Sequence, residues 1–228
     1  MTAAVALLSG GLDSGVALAV WNAAGNRAAL ALTFDYGQRA AGREAAAAQR
    51  LAARFGVAWR GIDLPWLAQA SAAAGSALVA RGRPLPAGTR ERPGDQQSAA
   101  AVWVPARNAV FVAIAAALAE AGDATVVLAG FNREEALTFA DNSAGFVAAA
   151  TAFLGFGTRI GVRVESPTLA WDKRGIVAAA REHGLRPADF WSCYEGDADP
   201  CGRCESCLRS LRAWDGQTAT AGRKRHGG

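Results

Sequence analysis

The sequence predicts an α/β fold, a parallel sheet flanked by helices, followed by a small cysteine-bearing segment. Three observations carry this. Apolar strand-like runs alternate with helix-like runs from the first residues onward, and such alternation produces parallel strands joined by crossover helices. The first strand runs into Ser9-Gly10-Gly11-Leu12-Asp13-Ser14, a glycine turn that leads at once into a helix. All four cysteines fall late, at Cys193, Cys201, Cys204 and Cys207.

Taken in order, residues 3–8 read as a buried strand and 15–23 as a helix that Asp13 or Ser14 can cap. Residues 28–34 form the second strand, ending at Asp35-Tyr36-Gly37-Gln38. A helix over 39–55 is closed by Gly56, and 57–64 form the third strand. Residues 68–102 are rich in small residues, Gly and Pro, and read as an irregular insertion, a lid or a disordered loop. An apolar helix over 106–121, a strand over 124–129, a polar loop over 130–142 and a helix over 143–154 follow. A short strand at 162–166 and a helix at 173–183 complete the sheet domain. The expected organisation is a main domain over 1–185, a cysteine segment over 186–214 and a disordered basic tail over 215–228.

Composition excludes several classes. The 228 residues are 51% hydrophobic and 19% charged, ample for a buried core. No run reaches the ~18 apolar residues of a membrane helix, and Met1-Thr2-Ala3-Ala4-Val5 lacks the charged first segment of a signal peptide. A cytoplasmic protein without a membrane partner is expected. The formal charge of +4 is mild and part of it lies in Arg223-Lys224-Arg225, so a nucleic-acid partner is not expected. A zinc-containing nucleic-acid-binding module would leave the glycine turn without a purpose. With only two histidines, a serine–histidine triad is a poor candidate, and catalysis must rest on electrostatics.

The glycine turn suits phosphate. Glycines let backbone approach a ligand, and free N–H groups at a helix start face an anion. Ser9 and Ser14 add hydroxyls, while Asp13 fits a magnesium contact or a cap. No Gly-Lys-Ser/Thr of a Walker loop follows, and Gly-x-Gly-x-x-Gly is absent. Asp35, Tyr36 and Gln38 stand at the carboxyl end of the next strand, the edge where open parallel sheets bind ligands. The cysteines have the spacing C-x7-C-x2-C-x2-C, and four thiolates suit one tetrahedral, structural zinc. An iron–sulfur cluster is the main rival, and a redox Cys-x-x-Cys would leave two cysteines idle.

The string Ser-Gly-Gly-x-Asp-Ser resembles the signature of the PP-loop ATP-pyrophosphatase superfamily. That resemblance implies a Rossmann-like fold of the adenine-nucleotide alpha-hydrolase type. It also implies cleavage of ATP between its α and β phosphates, with AMP passing to an acceptor. The nucleotide contacts it implies run through Leu8, Ser9, Gly10, Gly11, Leu12, Asp13, Ser14, Gly15, Val16, Ala17 and Leu18, with Asp35, Tyr36 and Gln38.

Four further strings narrow the match: Thr33-Phe34-Asp35-Tyr36-Gly37-Gln38, Val104-Pro105-Ala106-Arg107-Asn108, Trp191-Ser192-Cys193-Tyr194 and Cys201-Gly202-x-Cys204-x-x-Cys207. In this order they resemble the 7-cyano-7-deazaguanine synthase family of queuosine and archaeosine biosynthesis, over about residues 3–214. The resemblance implies a carbon–nitrogen ligase that uses ATP, magnesium and zinc and takes a 7-deazaguanine acid and ammonia. It also implies a homodimer. Residues 135–143 depart from the bacterial pattern Asp-x-Ser-Gly-Tyr-Pro-Asp-Cys-Arg and, with Glu134 before them, look like a variant, Glu-Glu-Ala-x-x-Phe-x-Asp-Asn-Ser, of archaeal-type members. That variation opens the alternative of another carboxylate as substrate. Other PP-loop enzymes thiolate or lysidinylate tRNA or amidate nucleotides, but thiolation would need a cysteine outside the metal set.

Ser9, Asp13, Ser14, Arg107 and Lys173 are the expected catalytic groups. Arg107 can hold a phosphate oxygen or the acceptor carboxylate at two points, and Lys173 can neutralise departing pyrophosphate. Asn108 can add an amide donor. Glu134, Glu135 and Asp141 are candidate acceptors for the N–H edge of a guanine-like base, with Phe139 packing near its ring.

Overall fold

The structure, a computed structural model, describes residues 2–88 and 96–221. Strands β1 (Ala3–Leu7), β2 (Arg27–Asp35), β3 (Ala58–Asp63), β4 (Val126–Leu128) and β5 (Arg163–Glu165) form one parallel sheet in the order β3-β2-β1-β4-β5. The helices between and after them are α1 (Leu12–Ala23), α2 (Ala41–Arg54), α3 (Pro65–Ala73), α4 (Gln96–Ala101), α5 (Arg107–Ala121), α6 (Arg133–Ala136), α7 (Ala144–Gly157), α8 (Lys173–Glu182) and α9 (Glu205–Ala221). The expected parallel sheet and its five strands are present, each within a few residues of the predicted bounds.

Both faces of the central strands β1 and β4 are covered, as helical crossovers require, while the edge strand β3 stays largely exposed. Alternate residues supply the two sides: Ala4, Ala6 and Leu8 with Val126 and Leu128 face one core, shared with Val16 and Leu18 of α1 and Ile176 and Val177 of α8. Val5 and Val127 face the other, shared with Val112 and Ala115 of α5. The chain leaves β1 toward β2 on one side and returns to β4 on the other, so the strand order reverses between β1 and β4. The carboxyl ends of these two strands therefore open a crevice, where ligands of such sheets bind.

Two glycines shape that crevice. Gly10 has φ +79°, and a Cβ there would lie 2.4 Å from the Glu44 carbonyl oxygen. At Gly130, just beyond β4, a Cβ would lie 2.5 Å from the Ser14 nitrogen. The start of α1 thus seats directly on the end of β4.

Four expectations are corrected. α1 starts at Leu12 with Gly11 as its N-cap and no side-chain cap, so neither Asp13 nor Ser14 caps it. The insertion 68–102 is not simply irregular: it carries α4 and the end of α3, and Ala77, Leu78 and Val102 are buried. Leu78 and Val102 pack beside Phe34 and Tyr36, and small residues in this stretch hid its helical periodicity. Residues 89–95 of that expectation lie outside the described residues. The polar loop 130–142 contains α6 and a 3₁₀ turn at Ala140–Asn142. α9 runs on to Ala221, so 215–221 of the expected disordered tail is helical, and 222–228 lie outside the described residues.

Candidate nucleotide site and metal clip

A cavity of about 310 Å³ occupies the crevice, within the usual size range of small-molecule sites. The glycine turn lines one side through Ser9, Gly11, Leu12, Asp13 and Ser14. Ser9 and Ser14 oxygens are 3.1 Å apart, the Ser14 hydroxyl accepts from the Ser9 N–H at 3.2 Å, and the Ser9 hydroxyl accepts from the Gly11 N–H at 3.3 Å. These bonds hold the turn open ahead of the α1 N-terminus, which no side chain caps. Its orphan N–H groups and positive dipole end suit an anion.

Asp13 meets a cation instead of a cap. Its Oδ2 lies 2.5 Å from Lys173 Nζ, and Nζ lies 3.0 Å from Glu135 Oε1. Burial pushes the Asp13 carboxyl above its ordinary value, more than Lys173 pulls it down. Burial works against the charged Lys173, but Asp13 and Glu135 outweigh it and hold the ammonium well above its ordinary pKa. Glu135 feels the same contest: burial raises it, yet Lys173 and Arg209 prevail and keep it below the ordinary carboxylate value. Asp13 Oδ1 is buried with no hydrogen-bond partner among the described residues.

A second group lies across the cavity. Arg107 opens α5 behind Ala106, whose φ of 51° is left-handed. Its Nη1 donates to the Tyr36 hydroxyl at 3.3 Å. Burial pushes the Tyr36 phenol up despite Arg107, so it stays protonated. Burial likewise raises Asp141 against the pull of Arg107. Asn108 Nδ2 donates to the Asp141 carbonyl at 3.1 Å, so it fixes this segment against α5. Phe139 lies nearly parallel to Trp103, at 13° and 6.4 Å between centroids.

Of the predicted nucleotide and substrate residues, Leu8, Ser9, Gly11, Leu12, Asp13, Ser14, Tyr36, Arg107, Asn108, Glu135, Phe139, Asp141 and Lys173 line this one cavity. Others do not. Val16, Ala17 and Leu18 are sealed in the interior at 0–1% exposure, because α1 turns them toward the sheet and α8. Gly15 abuts Phe190, and Gly10 serves the backbone path. Asp35 accepts from the Gly37 N–H at 2.8 Å. Gln38 donates to the Phe34 carbonyl at 3.0 Å and Glu44 at 2.9 Å, and accepts from the Tyr36 N–H at 2.9 Å. Both side chains shape the β2–α2 turn rather than the cavity wall. Glu134 accepts from the Lys173 N–H at 3.1 Å, which steadies the start of α8.

Sequence reasoning missed Trp103, Ser206, Arg209 and Ser210, all on the cavity wall. The last three stand at i, i+3 and i+4 of α9, one helical face. That polar stripe was the available signal, hidden in a segment read only for its cysteines.

The cysteines converge. Their four Sγ atoms lie within 4.8 Å of one another, and a tetrahedral thiolate site of Zn–S about 2.3 Å fits such a cluster after slight contraction. The Glu195 and Cys201 N–H groups donate to Cys193 Sγ and the Cys204 N–H donates to Cys201 Sγ, each at 3.3 Å. Such donors favour thiolates. The four thus form a candidate site for one metal ion, with no open position. The clip also touches the glycine turn, since the Trp191 N–H donates to the Gly10 carbonyl at 2.9 Å.

Fold and site define an α/β protein with a glycine turn at the switch point of its sheet and, beside it, a four-cysteine cluster that could hold a metal ion. The chain belongs to the family described as queuosine biosynthesis protein QueC, whose model matches residues 3–218. Relatives named 7-cyano-7-deazaguanine synthase include one from Pelotomaculum thermopropionicum, 48% identical over 92% of this chain and 95% of that one. Another, from Desulforamulus reducens, is 46% identical over 92% of each chain. A third, from Methanothermobacter thermautotrophicus, is 43% identical over 93% of this chain and 94% of its own.

Metal binding to such a cluster is coupled to folding. Cys204→Ser is expected to lose bound metal and to lower the melting temperature sharply, read by elemental analysis and thermal unfolding. A metal-free variant that melts like the parent would remove the structural role.

Proposed function

We propose that the enzyme is a carbon–nitrogen ligase that makes 7-cyano-7-deazaguanine from 7-carboxy-7-deazaguanine, ammonia and ATP in the cytoplasm. The observation that carries the reading is the glycine turn whose Asp13 meets Lys173 in one cavity, in a chain 48% identical to a synthase of that name.

In this reading a carboxylate oxygen of the acid attacks the α phosphorus of ATP, and the bond to the bridging oxygen breaks to release pyrophosphate. Ammonia then adds to the acyl carbon, loses a proton and expels AMP, leaving the amide. The amide oxygen takes AMP from a second ATP with loss of pyrophosphate. Departure of that AMP and the remaining N–H protons gives the nitrile.

The α1 N-terminus and Lys173 hold the pyrophosphate end and stabilise its growing charge. Arg107 holds the α phosphate or the acid. Magnesium, when bound, would screen the phosphate charge, and Asp13 Oδ1, which has no partner among the described residues, fits it. Zinc suits the four thiolates, where it would stabilise the fold. The oxygens of Glu135 are taken by Lys173 and Arg209, so Asp141 is the better acceptor for the base edge, with Phe139 and Trp103 near its ring. The reading includes a homodimer: α7 has no charged residue and leaves Phe153 and Phe156 63% and 97% exposed, an apolar face suited to a second copy.

Incubation with the acid, ATP, magnesium and ammonia is expected to give the nitrile with AMP and pyrophosphate, seen by mass spectrometry and nucleotide chromatography. Acid-dependent ADP as the main product would sink the PP-loop chemistry, and AMP with no nitrile would move the substrate elsewhere. Asp141→Ala is expected to lower kcat/KM for the acid by roughly ten- to a hundredfold, the loss of a charged hydrogen bond. Its KM for ATP should hold, and equal losses for both would end the base-reading role. Light scattering is expected to give the mass of two chains, and Phe156→Glu the mass of one; a monomeric parent would remove the dimer.

A further inference from the structure

Arg209 is the group on the cavity wall that neither the glycine turn nor the substrate segment accounts for. It projects from the second turn of α9, five residues beyond Cys204 and two beyond Cys207, so the metal clip fixes the base of its helix. Its guanidinium is a bridge. Nη1 reaches Glu135 Oε2 at 3.1 Å, and Nη2 reaches Glu205 Oε1 one turn back on α9. Glu205 is 1% exposed, and its N–H donates to the Pro86 carbonyl at 3.3 Å. A carboxylate buried this deeply directly after a metal ligand is costly unless it has work to do. From Glu135 the line continues to Lys173 Nζ at 3.0 Å and to Asp13 Oδ2 at 2.5 Å.

We propose that Arg209 is a positioning residue for the phosphate-handling pair. Anchored by Glu205, it pulls Glu135 toward α9 so that Glu135 does not draw Lys173 away from Asp13 and the incoming phosphates. The clip therefore acts on ATP through α9 as well as on stability. A guanidinium is needed because it bonds two carboxylates in different directions at once, whereas an ammonium is a point charge on a flexible stem. Without Arg209, Glu135 keeps Lys173 as its single cation among the described residues and competes with phosphate for it. Displacements of this kind, remote from the reacting atoms, weaken catalysis by up to about a hundredfold.

This rests on the ATP-dependent reading above, so the test reads ATP binding separately from turnover. Metal-loaded parent, Arg209→Met, Arg209→Lys, Glu205→Gln and the double variant are compared by calorimetry with magnesium–ATP and by steady-state kinetics, with metal content and melting measured on each. Arg209→Met is expected to keep its metal, to bind ATP roughly tenfold or more weakly and to leave KM for the acid unchanged. Arg209→Lys should recover only part of the loss. Glu205→Gln should weaken ATP in the parent and add little in the Arg209→Met background, because it acts through Arg209. ATP affinity unchanged in Arg209→Met overturns the proposal. So does a rise confined to KM for the acid, which would make Arg209 a direct substrate contact. Loss of metal together with ATP binding in every variant would reduce Arg209 to a fold-holding role and overturn it too. If the parent binds ATP but does not convert the acid, the substrate assignment fails while the ATP-binding arm still decides the role of Arg209.

Discussion

Asp13, Lys173, Glu135, Arg209 and Glu205 stand in a line of alternating charge, and the rest of the site is arranged around it. Each member comes from a different stretch except the last two, so the line ties α1, α8, α6 and α9 together at the crevice. It holds three acids and two bases. Such a row, largely withdrawn from water, is left short of positive charge, and the shortage falls at its two ends, where burial raises the Asp13 and Glu205 carboxyls. A divalent cation at Asp13 would reverse the balance and make the row attractive to phosphate.

The sheet makes this possible by bringing the end of β1 and the end of β4 side by side. Small side chains do much of that work. Ala4 and Ala6 in β1, Gly10 and Gly130 beyond the strand ends, and Ala47 and Ala48 in α2 let backbones approach where larger residues would hold them apart. The alanine richness that sequence composition alone reads as bias is therefore used in packing at these positions.

The parallel sheet was legible because its central strands β1, β2 and β4 are mostly apolar and bounded by glycine or polar turns, as at Leu8-Ser9-Gly10 and Phe34-Asp35. The glycine turn and the cysteines were legible because each is carried by residues close together in the chain. What sequence could not convey was which partner each polar side chain finds, near or far. Gln38 looks like a free amide until Phe34, Tyr36 and Glu44 close around it. Glu135 looks like a substrate acid until Lys173 and Arg209 arrive from elsewhere in the chain. The helix α4 escaped notice because alanines show no periodic contrast between a buried and a solvated face.

Asp13 and Lys173 are 160 positions apart in the chain, and Arg39 and Glu195, paired at 3.3 Å beside the clip, are 156 apart. Contacts that span so much chain are slow to form, since loop closure must precede any gain from them. On a ribosome, β1, α1 and β2 emerge long before α8 or the cysteines exist. The β1 edge destined for β4 then stands open, and the glycine turn has no lysine to face. Nascent chains thus carry an unpaired β1 edge until β4 emerges, past the middle of the chain, and no copy made short of α9 can assemble the complete line of charges.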